Sequence, residues 1–197
     1  MGWWDHERRW PLSCQIEKSG IRFRGLEVVM AILKVARLGN PVIRKAAEAV
    51  PKEAIGSAQM QRFIDDMIET MHEYEGVGLA APQVHMSSQI AVIEVTANRR
   101  YPGEAAIPLT VLINPKILNA SSKQVVDWEG CLSVNEFRGQ VPRAPSLEVE
   151  AYNRKGEKVR IHAQGFFARI IQHECDHLAG KVFLDRMPTL ATLTHLH

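Results

Sequence analysis

The sequence lacks a long apolar run, a cysteine framework and an excess of charge of one sign. Its apolar run near the N-terminus, Val28 to Leu33, ends at Lys34, whereas a membrane-spanning helix needs ~20 apolar residues. Three cysteines, an odd number without framework spacing, favour a reducing compartment. Lysine and arginine total 24 against 22 aspartate and glutamate, a net charge of +2, which gives no electrostatic sign of nucleic-acid binding. The first residues do not form a secretory signal either, because acidic and aromatic side chains stand where basic and then apolar ones belong.

What is present is the composition of an ordinary globular protein, with 197 residues, 46% of them hydrophobic and 23% charged. Residues 1–29 hold three of the four tryptophans and show no clear periodicity. We predict that they are an extension, either disordered or created by a start codon upstream of Met30, with an organelle-targeting leader as the alternative. Residues 30–190 are predicted to form a single domain, and residues 191–197 a short tail.

Hydrophobic periodicity predicts two helices and five strands. The first helix lies between about Ser57 and Glu75, where an apolar stripe with three methionines recurs at helical spacing and indicates a face packed on the core. The second runs from about Gly165 through Leu178 and ends at Gly180, a residue favoured at helix C-termini. The predicted strands are Gln89–Val95, Leu109–Ile113, Val125–Trp128, Leu147–Tyr152 and Lys158–Ala163. This order predicts an α+β fold in which a mostly antiparallel sheet packs around the second helix.

The second predicted helix carries His173-Glu174-Cys175-Asp176-His177, an H-E-x-x-H motif. Two histidines four residues apart project from one helix face, so both imidazoles can bind one metal ion. Glu174 lies at the edge of that face, where it can reach a metal-bound water. Apolar neighbours indicate a buried helix, and burying these polar side chains is costly unless a partner pairs with them. The central helix of the fold is therefore predicted to be a metal-binding helix.

A catalytic site of this kind needs a third protein ligand, with the fourth position left to water. The metzincin and thermolysin-like arrangements are excluded, because Phe183 stands where the first has its third histidine and no glutamate follows His177 for the second. The third ligand is therefore expected upstream. Cys131 is the candidate, next to a glycine that permits a tight backbone course. Cys175 points away from the first histidine of the motif, and we predict that it is a small buried thiol.

A third element is the glycine-rich segment Gly76-Val77-Gly78-Leu79-Ala80-Ala81-Pro82-Gln83. It lacks the third glycine of a dinucleotide-binding loop and the lysine of a P-loop. We interpret it as a tight turn that packs closely against a neighbour and presents backbone N–H and C=O groups, with Gln83 adding a neutral amide donor. A turn that serves packing alone is the alternative interpretation.

Together and in this order, the segments GVGLAAPQ, EGCLS and QHECDH resemble the three sequence motifs of the peptide deformylases. The resemblance extends from about Met30 to Met187. It implies a metal-dependent hydrolase that removes the formyl group from the N-terminal formylmethionine of newly made polypeptides and releases formate. This substrate is implied by the resemblance alone.

The resemblance also implies the metal and the base. Cys131, His173 and His177 would hold one divalent ion, with water in the fourth position. Ferrous iron is the implied metal of bacterial members, and zinc also binds such a ligand set. Glu174 would act as the general base that takes the water proton and later delivers it to the departing amine.

Further roles are implied for groups around the metal. The Gln83 side-chain amide and the Leu132 backbone N–H would stabilise the oxyanion, and the Gly78 main chain would bind the substrate backbone. Arg138 matches a family position near the entrance, where a solvated arginine is the alternative. The pocket for the methionine side chain is predicted partly from spacing, since two apolar residues share the helix face of the first histidine. Its expected lining is Val77, Phe166 and Ile170.

Two other functions fit parts of the pattern. A metallopeptidase acting on unblocked peptides would use the same metal and glutamate. A structural zinc site would need a fourth protein ligand, and no second cysteine stands near Cys131. The deformylase interpretation further implies nascent polypeptides as partners, action near the ribosome, and no need for nucleic acid or membrane. It also implies a monomer in a bacterial-type cytoplasm, with an organelle as the alternative.

Overall fold

The computed structural model describes residues 31–96 and 103–195. The predictions made for residues 1–29, and Cys14, lie outside these described residues. The described part contains two α-helices, α1 (Ala58–Glu73) and α2 (Gly165–Leu178), and eight β-strands. The strands are β1 (Gly78–Ala80), β2 (Ile90–Val95), β3 (Ile107–Ala120), β4 (Val125–Cys131), β5 (Val134–Arg143), β6 (Ser146–Tyr152), β7 (Lys158–Gln164) and β8 (Thr194–His195). Within residues 31–96 and 103–195, no helix is long and apolar enough to cross a membrane.

The strands form two antiparallel sheets, which confirms the predicted α+β class. The larger sheet has the strand order β1-β2-β3-β6-β7, and the smaller has the order β4-β5-β8. Every pair of neighbouring strands is antiparallel. Helix α2 packs against β1, β2, β6 and β7, and it therefore takes the central position that the sequence predicts.

Strand β2 lies between two hydrophobic cores. Ile90 and Val92 pack with α1 on one face, whereas Ile93 and Val95 pack with α2 on the other. Successive side chains of a strand point to opposite faces, so a strand buried on both faces has an almost continuous apolar sequence. The larger sheet is thus a layer between the two helices.

Both predicted helices are present with ends close to those expected. The Ser57 side chain caps the first turn of α1, and Met67 and Met71 are fully buried, as a core-facing stripe requires. Gly180 follows α2 in the left-handed conformation, with a φ of 73°. A Cβ at this position would lie 2.7 Å from the Arg44 carbonyl oxygen, so both the backbone angle and the packing require glycine.

The sequence pattern does not predict β1, β5 or β8, and it predicts only part of β3. Strand β3 continues past Ile113 through an irregularity, where Asn114 has a positive φ of 53° and the register with β6 shifts. Such a bulge interrupts the alternation by which strands are recognised. Strand β5 contains Gly139 and Pro142, which are uncommon inside strands. Pro142 is tolerated because β8 pairs with β5 only at Phe137 and Arg138, which leaves that edge of β5 unpaired at Pro142.

Candidate metal centre

Helix α2 places two histidines and a glutamate in the core. His173 and His177 lie one turn apart with their Nε2 atoms separated by 3.2 Å. His177 is fully buried, and Glu174 is 3% exposed. Ile170 and Ile171 of the same helix pack in the hydrophobic core beside the larger sheet, which explains why the helix carries these polar groups inward. Burial of this kind requires compensating partners.

Cys131 reaches the two histidines from the end of β4, where a two-residue turn leads into β5. Its Sγ lies 3.2 Å from His177 Nε2, and one ligand atom from each of Cys131, His173 and His177 lies within 4.8 Å of the other two. Sulfur and nitrogen ligands 2.0–2.3 Å from one tetrahedral ion are about 3.3–3.6 Å apart. The spacing and the donor set, one thiolate and two imidazoles, therefore fit a single divalent metal ion.

Without a metal, the ligand side chains favour an ion pair between the Cys131 thiolate and the His173 imidazolium, and a metal ion would displace the imidazolium proton. Burial opposes ionisation of the Cys131 thiol, but the charge of His177 and hydrogen bonds with both histidines hold its pKa well below the usual range. Burial likewise disfavours the charged form of His173, yet hydrogen bonds with Cys131 and Glu129 raise its pKa well above the usual value. The thiolate that results is the form of cysteine that binds metals.

A buried charge network behind the ligands was not predicted from the sequence. Glu129 accepts hydrogen bonds from His173 Nδ1 (2.9 Å), Arg143 Nε and Nη2 (2.9 and 3.0 Å) and Arg169 Nη1 (2.8 Å). Arg143 also donates to Asp176 (2.6 Å). Burial alone would raise the pKa of Glu129, but its hydrogen bonds with His173 and Arg143 and their charges lower it well below the usual range. With Nδ1 of His173 donating to this carboxylate, Nε2 is the ring nitrogen that can bind a metal once it has lost its proton.

Glu174 lies beside the ligands with one oxygen unused. Its Oε2 has no hydrogen-bond partner among the described residues, whereas Oε1 lies close to the backbone of Gly78. Burial raises the pKa of the Glu174 carboxyl to about 7, against the charges of His173 and His177, which lower it. A carboxyl group with this proton affinity can both accept and return a proton near neutral pH.

The glycine-rich segment supplies β1, which is an edge strand of the larger sheet. The Val77 carbonyl accepts a hydrogen bond from the Glu94 N–H (3.1 Å), and the next residue, Gly78, lies opposite Ile93. Hydrogen-bonded and non-hydrogen-bonded pairs alternate along antiparallel strands, so Gly78 directs its N–H and C=O away from β2. This edge can therefore accept an extended peptide as an additional strand.

Two hydrogen-bond donors are positioned near Cys131. The Gln83 Oε1 accepts from the Ala80 N–H (2.8 Å), which orients its Nε2 toward Cys131 Sγ (3.5 Å). The Leu132 N–H has no acceptor among the described residues, while its carbonyl accepts from Arg37 Nη1 (2.6 Å). The Leu132 hydrogen is thus available, whereas Gln83 Nε2 also donates to Ser133 Oγ (3.2 Å) and would exchange one of its two acceptors for a ligand.

One pocket brings together most of the residues predicted for the site. Its lining includes Val77, Gly78, Gln83, Cys131, Leu132, Phe166, Ile170, His173 and Glu174. His177 lies behind this lining, fully buried. Arg138 does not line the pocket, but its guanidinium lies over the ring of Trp128, 4.9 Å from the ring centre. Trp128 and Arg169 do line the pocket, and no local motif in the sequence points to either.

Cys175 lies apart from the metal ligands, in agreement with its predicted structural role. It packs against the hydrophobic core that surrounds α2. Burial, together with the nearby charges of Glu174 and Asp176, raises the pKa of its thiol to about 12. Such a thiol stays protonated and unreactive at neutral pH.

We expect Gly78→Ala to lower the kcat of any reaction that uses Glu174 by at least about tenfold, since small displacements of a catalytic group have effects of this order. A Cβ at position 78 would lie 2.3 Å from Glu174 Oε1 and 3.0 Å from Ile170 Cγ2, so the carboxylate must move. Gly56→Ala is the matched control, because a Cβ at Gly56 meets nothing within 4 Å. Equal kcat values for the two variants would contradict this steric argument.

Comparison with known proteins agrees with this geometry. The family model for polypeptide deformylases matches residues 32–192. Peptide deformylase 2 of Pseudomonas putida is 41% identical over 160 residues, which cover 81% of this chain and 90% of that protein. Peptide deformylase 1A, chloroplastic/mitochondrial, of Arabidopsis thaliana is 39% identical over 165 residues, which cover 78% of this chain and 61% of that protein.

Solved structures that resemble this chain are also peptide deformylases. The class I type b peptide deformylase of Acinetobacter baumannii, determined with Met-Ala-Ser bound, is 40% identical with a TM-score of 0.79, over 81% of this chain and 100% of that chain. A peptide deformylase of Synechococcus elongatus in complex with actinonin is 33% identical with a TM-score of 0.72, over 87% of this chain and 88% of that chain. The chain therefore belongs to the polypeptide deformylase family, as its three motifs predict.

Proposed function

We propose that the protein is a metal-dependent hydrolase that removes the formyl group from the N-terminal formylmethionine of newly made polypeptides and releases formate. The observation that carries the proposal is the position of Glu174, whose Oε2 has no partner among the described residues. This carboxylate lies beside three side chains that could hold a metal, in one pocket with apolar walls. Family membership supplies the substrate class.

Cys131, His173 and His177 would hold the metal. When bound, a divalent ion would act as a Lewis acid and would lower the pKa of water enough to make hydroxide available near neutral pH. We propose ferrous iron as the physiological ion, with zinc as the alternative, because a thiolate and two imidazoles suit both.

Glu174 takes a proton from water and delivers it to the amine as the formyl C–N bond breaks. The Gln83 amide and the Leu132 N–H donate to the developing oxyanion, and their supports are in place before substrate arrives. The Leu132 donor is free in advance and costs no reorganisation during the reaction, whereas the Gln83 amide exchanges one acceptor for the oxyanion.

The remaining site residues bind the peptide. Gly78 aligns the substrate backbone through the unused N–H and C=O of its edge strand. The methionine side chain enters the apolar part of the pocket, whose walls are Val77, Phe166 and Ile170. Arg138, stacked on Trp128 at the pocket, is proposed to contact the peptide beyond its first residue.

The partners of this reaction are nascent N-formylmethionyl polypeptides. We propose that the protein acts as a monomer near the ribosome in a bacterial-type cytoplasm, without nucleic acid or membrane as a requirement. An organelle is the alternative compartment, since the matched Arabidopsis thaliana relative is named chloroplastic/mitochondrial. Residues 30–190 are proposed to form the catalytic domain, with residues 1–29 as an extension and residues 191–197 as a tail.

The proposal is tested by measuring formate release from formyl-Met-Ala-Ser with protein purified anaerobically and loaded with ferrous iron. We expect rapid release, no cleavage of unblocked Met-Ala-Ser, and loss of activity after treatment with a chelator. Zinc-loaded protein provides the comparison of metals. Stoichiometric metal without formate release would overturn the proposal, and faster cleavage of the unblocked peptide would instead identify a metallopeptidase.

A further inference from the structure

The pocket contains one arginine that the mechanism does not use. Arg169 lies on the same face of α2 as Phe166, Ile170 and His173, and all four side chains line the pocket. Residues four apart on a helix are about 6 Å apart along its axis. Arg169 is therefore one turn away from the metal ligand His173, in the direction of the apolar walls.

The guanidinium of Arg169 is buried but incompletely paired. Its side chain is 7% exposed. It donates from Nη1 to Glu129 Oε1 (2.8 Å) and the Val141 carbonyl (2.9 Å), and from Nη2 to the Val125 carbonyl (2.7 Å). A guanidinium has five N–H hydrogens, so the Nε hydrogen and one Nη2 hydrogen have no acceptor among the described residues. These hydrogens remain available to an acceptor that enters the adjoining space, and such a hydrogen bond would be favourable beside a nearly buried cation.

The position of the guanidinium limits where that acceptor can lie. Glu129 lines the catalytic pocket, whereas Val125 lines a second cavity of about 260 Å³. Arg169 and Phe166 line both spaces and thus form part of the wall between them. An acceptor that meets the unused hydrogens from the catalytic pocket would belong to the substrate's first side chain.

We propose that Arg169 is a specificity-determining residue that donates a hydrogen bond to the first side chain of the substrate, and that the protein therefore also deformylates peptides that begin with formylmethionine sulfoxide. This inference rests on the proposed function. A thioether sulfur is a weak acceptor, whereas oxidation of methionine gives a polar, chiral side chain with an oxygen that accepts strongly. The reaction is the same hydrolysis of the formyl C–N bond. The sulfoxide group takes no part in it and is unchanged in the product.

The test compares kcat/KM for formyl-Met-Ala-Ser and for analogues with norleucine or either sulfoxide epimer in the first position. Norleucine has a similar length but no acceptor. In the wild type we expect the better epimer to be cleaved within about tenfold of the methionine peptide and faster than the norleucine peptide, because a site with a buried donor rejects an analogue that leaves it unpaired. A fixed donor should also distinguish the two epimers.

Arg169→Met keeps the length of the side chain and removes its donors. We expect the ratio of sulfoxide to norleucine cleavage to fall at least about tenfold and the epimer preference to disappear, with part of both restored in Arg169→Lys. Arg160→Met, at an exposed arginine on β7, should change neither quantity. Because each ratio is taken within one variant, a general loss of activity cancels.

Two results would overturn the inference. One is wild-type protein that cleaves norleucine peptides faster than both sulfoxide epimers, a comparison that needs no variant. The other is an unchanged ratio in Arg169→Met with metal retained, which would indicate that the unused hydrogens face the second cavity. Failure of the proposed function is distinct, since the formyl-Met-Ala-Ser peptide itself would then release no formate.

Discussion

Glu174→Gln is expected to lower the kcat for formate release by about 10²–10⁴-fold, the range that general acid–base catalysis contributes, while metal content stays unchanged. Glutamine preserves the volume beside Gly78, where the carboxylate packs closely. It replaces the unpartnered Oε2 with a group that cannot take a proton. The loss should therefore be in kcat, with KM for formyl-Met-Ala-Ser little affected.

The control for this prediction is Glu73→Gln, at an exposed glutamate that ends α1. Both variants should bind one equivalent of metal, measured by elemental analysis of the purified protein. If Glu174→Gln kept more than a tenth of the wild-type kcat with full metal content, Glu174 would not be the base.

The parts of the site that could be predicted from the sequence are those encoded by local spacing. His173 and His177 are four residues apart, and helical geometry alone places both on one face. The C-terminus of α2 could also be predicted from the sequence, because Gly180 marks it. Each inference needed only a few neighbouring residues.

Contacts between segments that are far apart in the chain were harder to predict from the sequence. Cys131 meets His177 across 46 positions of the chain, and only the elimination of other ligands, with the family resemblance, pointed to it. Strand β1 has three residues, too few for a periodic pattern, yet its edge position leaves the Gly78 backbone available. Arg169 resembles any helical arginine until its neighbours Glu129 and Val141 are known.

The network around Glu129 is the largest feature that the sequence did not predict. Its only local signal is a glutamate two residues before the cysteine ligand. The other members of the network come from β5 and α2. They are Arg143, Arg169, His173 and Asp176. The two carboxylates pair with Arg143, Arg169 and the partly exposed Arg186. Glu129 can orient His173 only after the sheets and helix have assembled.

Glu129→Gln is therefore expected to affect stability and metal binding together. Removing one partner of a buried charge network costs about 3–5 kcal/mol. Arg169 would lose its carboxylate partner, and Arg143 would keep only Asp176, which also pairs with Arg186. Loss of an outer-shell partner of a metal ligand typically weakens metal affinity by about 10–100-fold. Urea denaturation of the metal-free protein would measure the first effect, and competition with a chelator the second.

A double substitution separates the loss of charge balance from the loss of packing. If the cost arises from an unpaired guanidinium, Glu129→Gln combined with Arg143→Met should be less destabilised than the sum of the two single variants. Glu148→Gln, which weakens partly exposed pairs with Arg160, should cost no more than about 1 kcal/mol. Additive losses in the double variant would mean that Glu129 stabilises the fold by packing alone. Unchanged metal affinity in Glu129→Gln would remove its role in orienting His173.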